Sequence, residues 1–442
     1  MFPLTIQLYA DGDWHDAMSL KFAEPMMGFL GPCEIAYKAA YIRANLDAYQ
    51  SPFTLAVSAR LPVDYDPLSL QRAPAFLHDI APSGAARRFL LKHIGRQKPA
   101  GLSDDMFLLG RSTPAPVGNL RIKESMEELD TCAAAIGFSR SEVVTRDQGF
   151  LDYAYEQGAA IGGATGAGGE APKLLMTEGR DGQLYPDAVL PDADATQHWF
   201  VKFARNQALL NDQDILRSEY LYYKALQQLG VDTVATAELG FEQANKPSLW
   251  MKRFDRQVTD RGVERRAVES IYSLAGVTEP GSRLEHVEVI RLLVKLWVEA
   301  GQKAQVPALV REYLRRDLIN KTLGNSDNHG RNTAIIREAS SFRLAPIYDL
   351  APMVMDVEGV PRTTKWPGAV ERAGEIDWRG ACNALAALVD PQDAFEQLRE
   401  DARHLLALPD LLAETGLPTA TMNHPAIALK KLPQRMKEWA LL

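Results

Sequence analysis

The chain is poor in the residues that build metal clusters and disulfide scaffolds, with 3 cysteines and 8 histidines among 442 residues. Cys33, Cys132 and Cys382 are odd in number, widely spaced and free of any C-x-x-C, which excludes a disulfide framework or a zinc module and fits a reducing cytoplasm. The histidines are scattered, with no H-E-x-x-H, so zinc hydrolysis has no support. No apolar run approaches the ~18 residues of a spanning helix. The opening Met1-Phe2-Pro3-Leu4-Thr5-Ile6 lacks a basic segment and soon reaches Asp11-Gly12-Asp13, so a soluble, unsecreted protein is expected, with no membrane partner. There is also no long block of one charge sign. Lys plus Arg (49) against Asp plus Glu (57) gives −8, which disfavours a general nucleic-acid coat and leaves room only for a local basic face.

What is present is ordinary globular material, 46% hydrophobic and 24% charged. The length argues for two or three packed units. Residues 5–9 alternate apolar and polar before Asp11-Gly12-Asp13, which reads as a hairpin. Pro62, Pro67, Pro74 and Pro82 break up the next stretch of chain, short helices are expected at 75–80 and 85–93, and 104–107 and 117–122 continue the unit to a polar boundary at 123–130. Gly158, Gly162, Gly163, Gly166, Gly168 and Gly169 then crowd into a loop, because so many glycines cannot hold a regular element. A strand is expected at 199–203, with Trp199, Val201 and Phe203 on one face and Lys202 on the other. A helix at 214–229 and strands at 231–239 and 249–254 follow, and after Asp255-Arg256 the pattern turns mainly helical, at 284–300, at 308–323 and in the tail from 391.

The most specific signal is Gly324-Asn325-Ser326-Asp327-Asn328-His329-Gly330-Arg331-Asn332, after a helix and before the apolar Ala334-Ile335-Ile336. An aspartate with an asparagine five residues on is the spacing of a protein-kinase catalytic loop, where the aspartate orients or deprotonates the attacking hydroxyl and the asparagine holds magnesium. The same string also suits a plain turn of residues that tolerate left-handed backbone. Kinase chemistry requires a second carboxylate for the hard cation, and Asp349, 22 residues beyond Asp327 at a strand end, is the natural choice. It also requires a phosphate-binding lysine on a strand paired with a helical glutamate, and Lys202 and Glu219 occur in that order. The glycine loop, with Lys173 at its end, matches neither G-x-x-x-x-G-K-[ST] nor G-x-G-x-x-G; it is either a phosphate cover or a linker. Met251 to Arg256 falls where a hinge between lobes belongs, with Phe254 beside a base and Asp255 near a ribose.

Ala171-Pro172-Lys173, Phe200-Val201-Lys202-Phe203, Arg253-Phe254-Asp255-Arg256, the Asp327 loop and Ala345-Pro346-Ile347-Tyr348-Asp349-Leu350 together resemble the HipA family of bacterial serine/threonine kinases, the toxin halves of toxin–antitoxin pairs. Pro74 to Gly84 is more faintly similar to a segment of that family's N-terminal subdomain. The resemblance implies an α+β, two-lobed protein-kinase-like fold with an added β-rich N-terminal subdomain (1–130), a β-rich lobe with a glycine loop (131–256) and a helical catalytic lobe (257–442). It implies ATP and Mg2+ as cofactors and a protein hydroxyl as acceptor, an aminoacyl-tRNA synthetase being the family's known kind of target. A small helix-turn-helix antitoxin is the implied partner, with DNA reached only through it. By position, Asp327 is the implied catalytic residue. Asn332 and Asp349 are the implied metal ligands, and Lys173, Lys202, Glu219, Arg253, Phe254, Asp255 and His329 the implied nucleotide contacts. Two departures stand out. Members often carry a regulatory serine seven residues before the loop lysine, where this chain has Gly166, so either the neighbouring Thr165 is autophosphorylated instead or that control is missing. The loop also carries extra glycine. Two other readings remain at this level: a catalytically weak regulatory module that acts with a DNA-binding antitoxin, and a small-molecule phosphotransferase.

Overall fold

The structure, a computed structural model, describes residues 2–127, 129, 135–146, 150, 154, 173–205, 207–244 and 246–442. Alternating apolar residues build β1 (Phe2–Ala10), which pairs antiparallel with β2 (Asp13–Phe22). Both turn residues have positive φ, Asp11 at 51° and Gly12 at 87°, the conformation a two-residue hairpin needs to follow the strand twist. β3 (Cys33–Tyr37), β4 (Leu68–Leu70) and β5 (Leu120–Ile122) complete a sheet of order β4-β3-β2-β1-β5. Two helices cover it, α1 (Gly84–Ile94) and α2 (Asp104–Arg111), the second capped by Ser103 Oγ, which accepts from the Met106 N–H at 3.3 Å.

A second antiparallel sheet holds β6 (Lys173–Gly179), β7 (Leu184–Pro186), β8 (Ala195–Phe203), β9 (Gly240–Glu242) and β10 (Ser248–Lys252), in the order β7-β6-β8-β10-β9. Alternation assigns its faces. Leu174, Met176, Trp199, Val201, Phe203 and Trp250 join the core of the first sheet, while Leu249 and Met251 join Leu216, Tyr222, Tyr223 and Leu226 of α3 (Leu210–Gln228) in the other large core. The N-terminal unit and the second sheet therefore share one hydrophobic core.

Two expectations need correction. The segment 231–239 is not a strand: it makes one parallel bridge, Thr233 to Ile347, and its β-branched residues pack as an irregular link. The chain after Asp255 is also not helical at once. β11 (Arg256–Thr259) and β12 (Gly262–Arg265) form a hairpin around Asp260-Arg261, and β13 (Ala267–Ser270) follows. Each of these strands has four residues with one or two apolar positions, too short for an apolar period to mark it. The helical half then supplies α4 (His286–Glu299) and α5 (Val306–Leu323), a hairpin of β14 (Ala334–Arg337) and β15 (Phe342–Leu344) beside β13, and α6 (Pro391–Leu405) packed on α5. Among the described residues no helix is long and apolar enough to cross a membrane.

A buried ion pair of the helical half is hydrogen-bonded to the N-terminal unit. Arg337 of β14, 2% exposed, donates to the Phe53, Ala56 and Val57 carbonyls and lies 3.2 Å from Glu269 of β13. Glu269 in turn accepts from Ser58 Oγ at 2.5 Å and the Ala59 N–H at 2.8 Å.

Candidate active site

Lys173 opens β6 and Lys202 lies near the end of β8, and the strand register sets them directly opposite one another. They are only 7% and 6% exposed. Like charges facing across a ladder repel, and burial adds a desolvation cost, so such a pair needs an anion between its heads. Asp349 supplies it, with Oδ2 accepting from Lys173 Nζ at 3.1 Å and Oδ1 from Lys202 Nζ at 2.6 Å. Burial pushes the Asp349 carboxyl up, but the two ammonium groups outweigh it and hold the group well below the usual carboxylate range. Lys202 Nζ also donates to Glu219 Oε2 of α3 at 2.5 Å. The other Glu219 oxygen accepts from the Tyr223 hydroxyl at 3.0 Å, and that hydroxyl accepts from the Leu350 N–H at 3.1 Å. Sheet, helix and the Asp349 turn are thereby locked together. Asp349 has φ 55°, a left-handed conformation that aspartate tolerates better than most side chains.

The loop between α5 and β14 is shaped by glycine and asparagine. Gly324 ends α5 at φ 72°, and a Cβ there would lie 2.6 Å from Ile427 Cγ1 and 2.8 Å from Val354 Cγ2. Gly330 lies so close to the Tyr272 ring that a Cβ has no room. Asn325 Oδ1 accepts from the Asp327 N–H at 3.1 Å, and Asn328 Oδ1 accepts from the Thr363 N–H at 3.0 Å while its amide donates to the Thr364 carbonyl at 2.7 Å. Asn332 Nδ2 donates to the Asp327 carbonyl at 2.7 Å, which leaves Asn332 Oδ1 buried with no partner. A buried acceptor without a donor is costly in an isolated protein and suits a cation ligand.

Asp327, 8% exposed, has its carboxyl pushed above the ordinary range by burial, with the neighbouring His329 and the more distant Lys173 and Arg205 offsetting part of the rise. His329 does not face the cleft as expected. It is 2% exposed and stacks by Tyr272, and its Nδ1 accepts from the Arg331 N–H at 3.2 Å. In the neutral ring, which burial favours, the proton then sits on Nε2, 3.4 Å from Asp327 Oδ1. His329 is thus a positioning group for Asp327.

The cleft beside these groups has two ends. One is largely apolar, lined by Phe200, Met251, Phe254, Val268 and Tyr348, with Phe254 and Tyr348 stacked at 5.5 Å between ring centroids. The other is a recess lined by Lys173, Lys202, Arg205, Asp327 and Asp349. The lysine pair and Asp349 belong to both. The hinge needs a further correction. Asp255, expected near a ribose, is 2% exposed, and both its oxygens are taken. Oδ1 accepts from Arg253 Nε at 3.0 Å, and Oδ2 from Arg253 Nη2 at 2.6 Å, Arg256 Nη1 at 2.8 Å and the Gly118 N–H at 2.8 Å. Arg253 is likewise consumed, by Asp255, by Asp187 at 2.6 Å and by the Pro116 carbonyl at 3.0 Å. All three residues line the cleft, but the polar groups of Arg253 and Asp255 are spent on fastening the hinge to the N-terminal unit. Thr165 and the glycine loop lie outside the described residues.

Sequence reasoning missed several groups. Tyr223, within the helix expected at 214–229, was not singled out. Asp79 and His78 reach the cleft from the N-terminal unit. Asp79 accepts from the Ser270 N–H at 3.0 Å and its hydroxyl at 2.7 Å, and burial pushes its carboxyl up to about 6.

Residues 165–406, more than half of the chain, match the family described as the HipA-like C-terminal domain. The chain belongs to the HipA-like family. A chain of the Shewanella oneidensis MR-1 toxin–antitoxin complex of HipA, HipB and operator DNA is 16% identical and superposes with a TM-score of 0.63, over 99% of this chain and 96% of that one. The HipA-like fold thus extends beyond the matched domain through the N-terminal unit. The Helicobacter pylori proinflammatory kinase CtkA is 12% identical with a TM-score of 0.37, over 60% of this chain and 90% of that one. No curated protein matches the sequence.

Proposed function

We propose that this HipA-like chain is an ATP-dependent serine/threonine protein kinase. The observation that carries the reading is the buried, in-register Lys173–Lys202 pair, neutralised by Asp349 and adjoining a buried Asp327. Paired cations held on a carboxylate are a preformed polyphosphate site, since phosphate oxygens can take over the lysines and free Asp349. The stacked Phe254 and Tyr348 suit a planar base at the apolar end.

Asp349 and the unpartnered Oδ1 of Asn332 are the residues that fit Mg2+, which when bound would neutralise charge on the phosphates. Two protein oxygens do not fill the shell of such a cation, so nucleotide and water oxygens would supply the rest. Asp327, oriented by His329, accepts the proton of the acceptor hydroxyl. The hydroxyl oxygen forms a bond to the γ-phosphorus, the bond from that phosphorus to the β,γ-bridging oxygen breaks, and ADP leaves with the electron pair.

The acceptor proposed is a protein hydroxyl, with an aminoacyl-tRNA synthetase as the target class and growth arrest as the outcome. A DNA-binding antitoxin is the partner proposed, by analogy with the HipA–HipB–operator complex. The cytoplasm is the proposed compartment, consistent with the buried, unpaired Cys33 and Cys382. Transfer of labelled γ-phosphate by wild type against Asp327→Asn tests the reading.

A further inference from the structure

Arg205, three residues beyond Lys202, lies just past the end of β8. It is 5% exposed and lines the recess with Lys173, Lys202, Asp327 and Asp349. One side of its guanidinium is held: Nη1 lies 3.1 Å from Asp356 Oδ2 and 3.5 Å from Met353 Sδ. The other side is not. Nε and Nη2 are both buried and neither has a hydrogen-bond partner. These two nitrogens form one edge of the planar fork, the edge whose parallel N–H bonds match two oxygens of a phosphate or carboxylate. Leaving buried guanidinium donors unmade costs stability, so the arrangement calls for an anion that the chain itself does not provide.

The layout of the cleft says which anion. The apolar end and the recess share the lysine pair, but Arg205 and Asp327 line only the recess. A nucleotide with its base at the apolar end passes its phosphates across Lys173 and Lys202 and ends beside Arg205. We propose that the Nε/Nη2 edge of Arg205 binds the terminal phosphoryl group of a nucleoside triphosphate and makes the site select triphosphate over diphosphate. This rests on the kinase reading above and adds to it a third cationic group, one that no spacing in the sequence marks. Held on Asp356, the guanidinium keeps its free edge in place before the ligand arrives, which lowers the ordering cost of binding.

The test is equilibrium binding to the full-length protein, with Mg2+, of ADP and of the non-hydrolysable β,γ-imido analogue of ATP. Wild type, Arg205→Met, Arg205→Lys and Asp356→Asn are compared. Loss of a bidentate charge-assisted contact should weaken the triphosphate analogue by about tenfold or more in Arg205→Met, with ADP binding changed by less than about twofold. The retained ADP binding shows that this variant is folded. Arg205→Lys keeps the charge beside Asp356 but not the fork, so it should show a smaller loss, again confined to the triphosphate. Asp356→Asn, which removes the ion pair and leaves the fork, should keep a preference for triphosphate. Equal losses for both ligands in the two Arg205 variants, or no loss for either, overturn the assignment of Arg205 alone. Asp356→Asn matching Arg205→Met would reduce Arg205 to a structural ion pair. A wild type that binds neither ligand sinks the kinase reading and this proposal with it.

Discussion

At the scale of single residues, the site works by leaving specific groups in demand. Asp349 spans two buried lysines, Asn332 Oδ1 has no donor, and Asp327 is a buried carboxylate with His329 Nε2 at 3.4 Å. Burial raises the Asp327 carboxyl, so its proton is lost at a higher pH than from an ordinary aspartate near ~4. In the proposed kinase reaction Asp327 must be ionised to accept a proton. The rate of phosphoryl transfer should therefore fall as pH drops through a point above the usual aspartate range, seen as the acid limb of the kcat/KM profile. His329→Ala, which strips one neighbour of that carboxylate, should shift the limb. A limb at the ordinary aspartate position would show that Asp327 is solvated during turnover. Asp327, Asn332, Asp349, Lys202 and Glu219 could be singled out in the sequence by residue type and spacing, and the fold brings them together. Asp255 was not, because a hinge aspartate that binds two arginines has the same letters as one that binds a ribose. Arg205 was equally hidden, since its meaning lies in two unmade hydrogen bonds.

At the scale of elements, the loop between α5 and β14 depends on two glycines, Gly324 for its left-handed backbone and Gly330 for its close approach to the Tyr272 ring. Gly324 stops α5 at positive φ with Ile427 and Val354 closed around it. Gly324→Ala combines left-handed strain with overpacking and should destabilise the protein by about 1–3 kcal/mol, read as a lowered urea midpoint with unchanged slope. The helices that bear the site were legible from their apolar period, and α3 and α5 begin within a few residues of expectation. The hairpin at 256–265 and the link at 231–239 were not. In the first, four-residue strands pair with a single apolar contact, Val258 opposite Val263, too little to show as a period. In the second, alternating β-branched residues find only one bridge because Ile347 lies beside them for a single pair.

At the scale of the whole molecule, the N-terminal unit is part of the HipA-like body and not an appendage. It shares a core with the second sheet, lends Asp79 and Val117 to the cleft, and binds Arg253, Arg256 and Arg337 through its carbonyls. The sequence reading set off a separate unit, because a polar stretch such as 123–130 looks like a boundary whether or not the cores on either side merge. Glu269→Ala leaves Arg337 buried without its carboxylate and should cost about 3–5 kcal/mol. With a shared core, thermal unfolding of this variant should remain one transition at a lower temperature. A separate early transition for the N-terminal unit would show the cores to be independent.

The central claim is ATP-dependent phosphoryl transfer from this cleft. A bacterial lysate incubated with Mg2+, γ-labelled ATP and the purified protein tests it most directly, wild type beside Asp327→Asn. Label on one or a few proteins with wild type, absent with the variant and stable as a phosphoserine or phosphothreonine ester, is the result predicted. Equal labelling by both proteins, or none above the lysate alone, would contradict it.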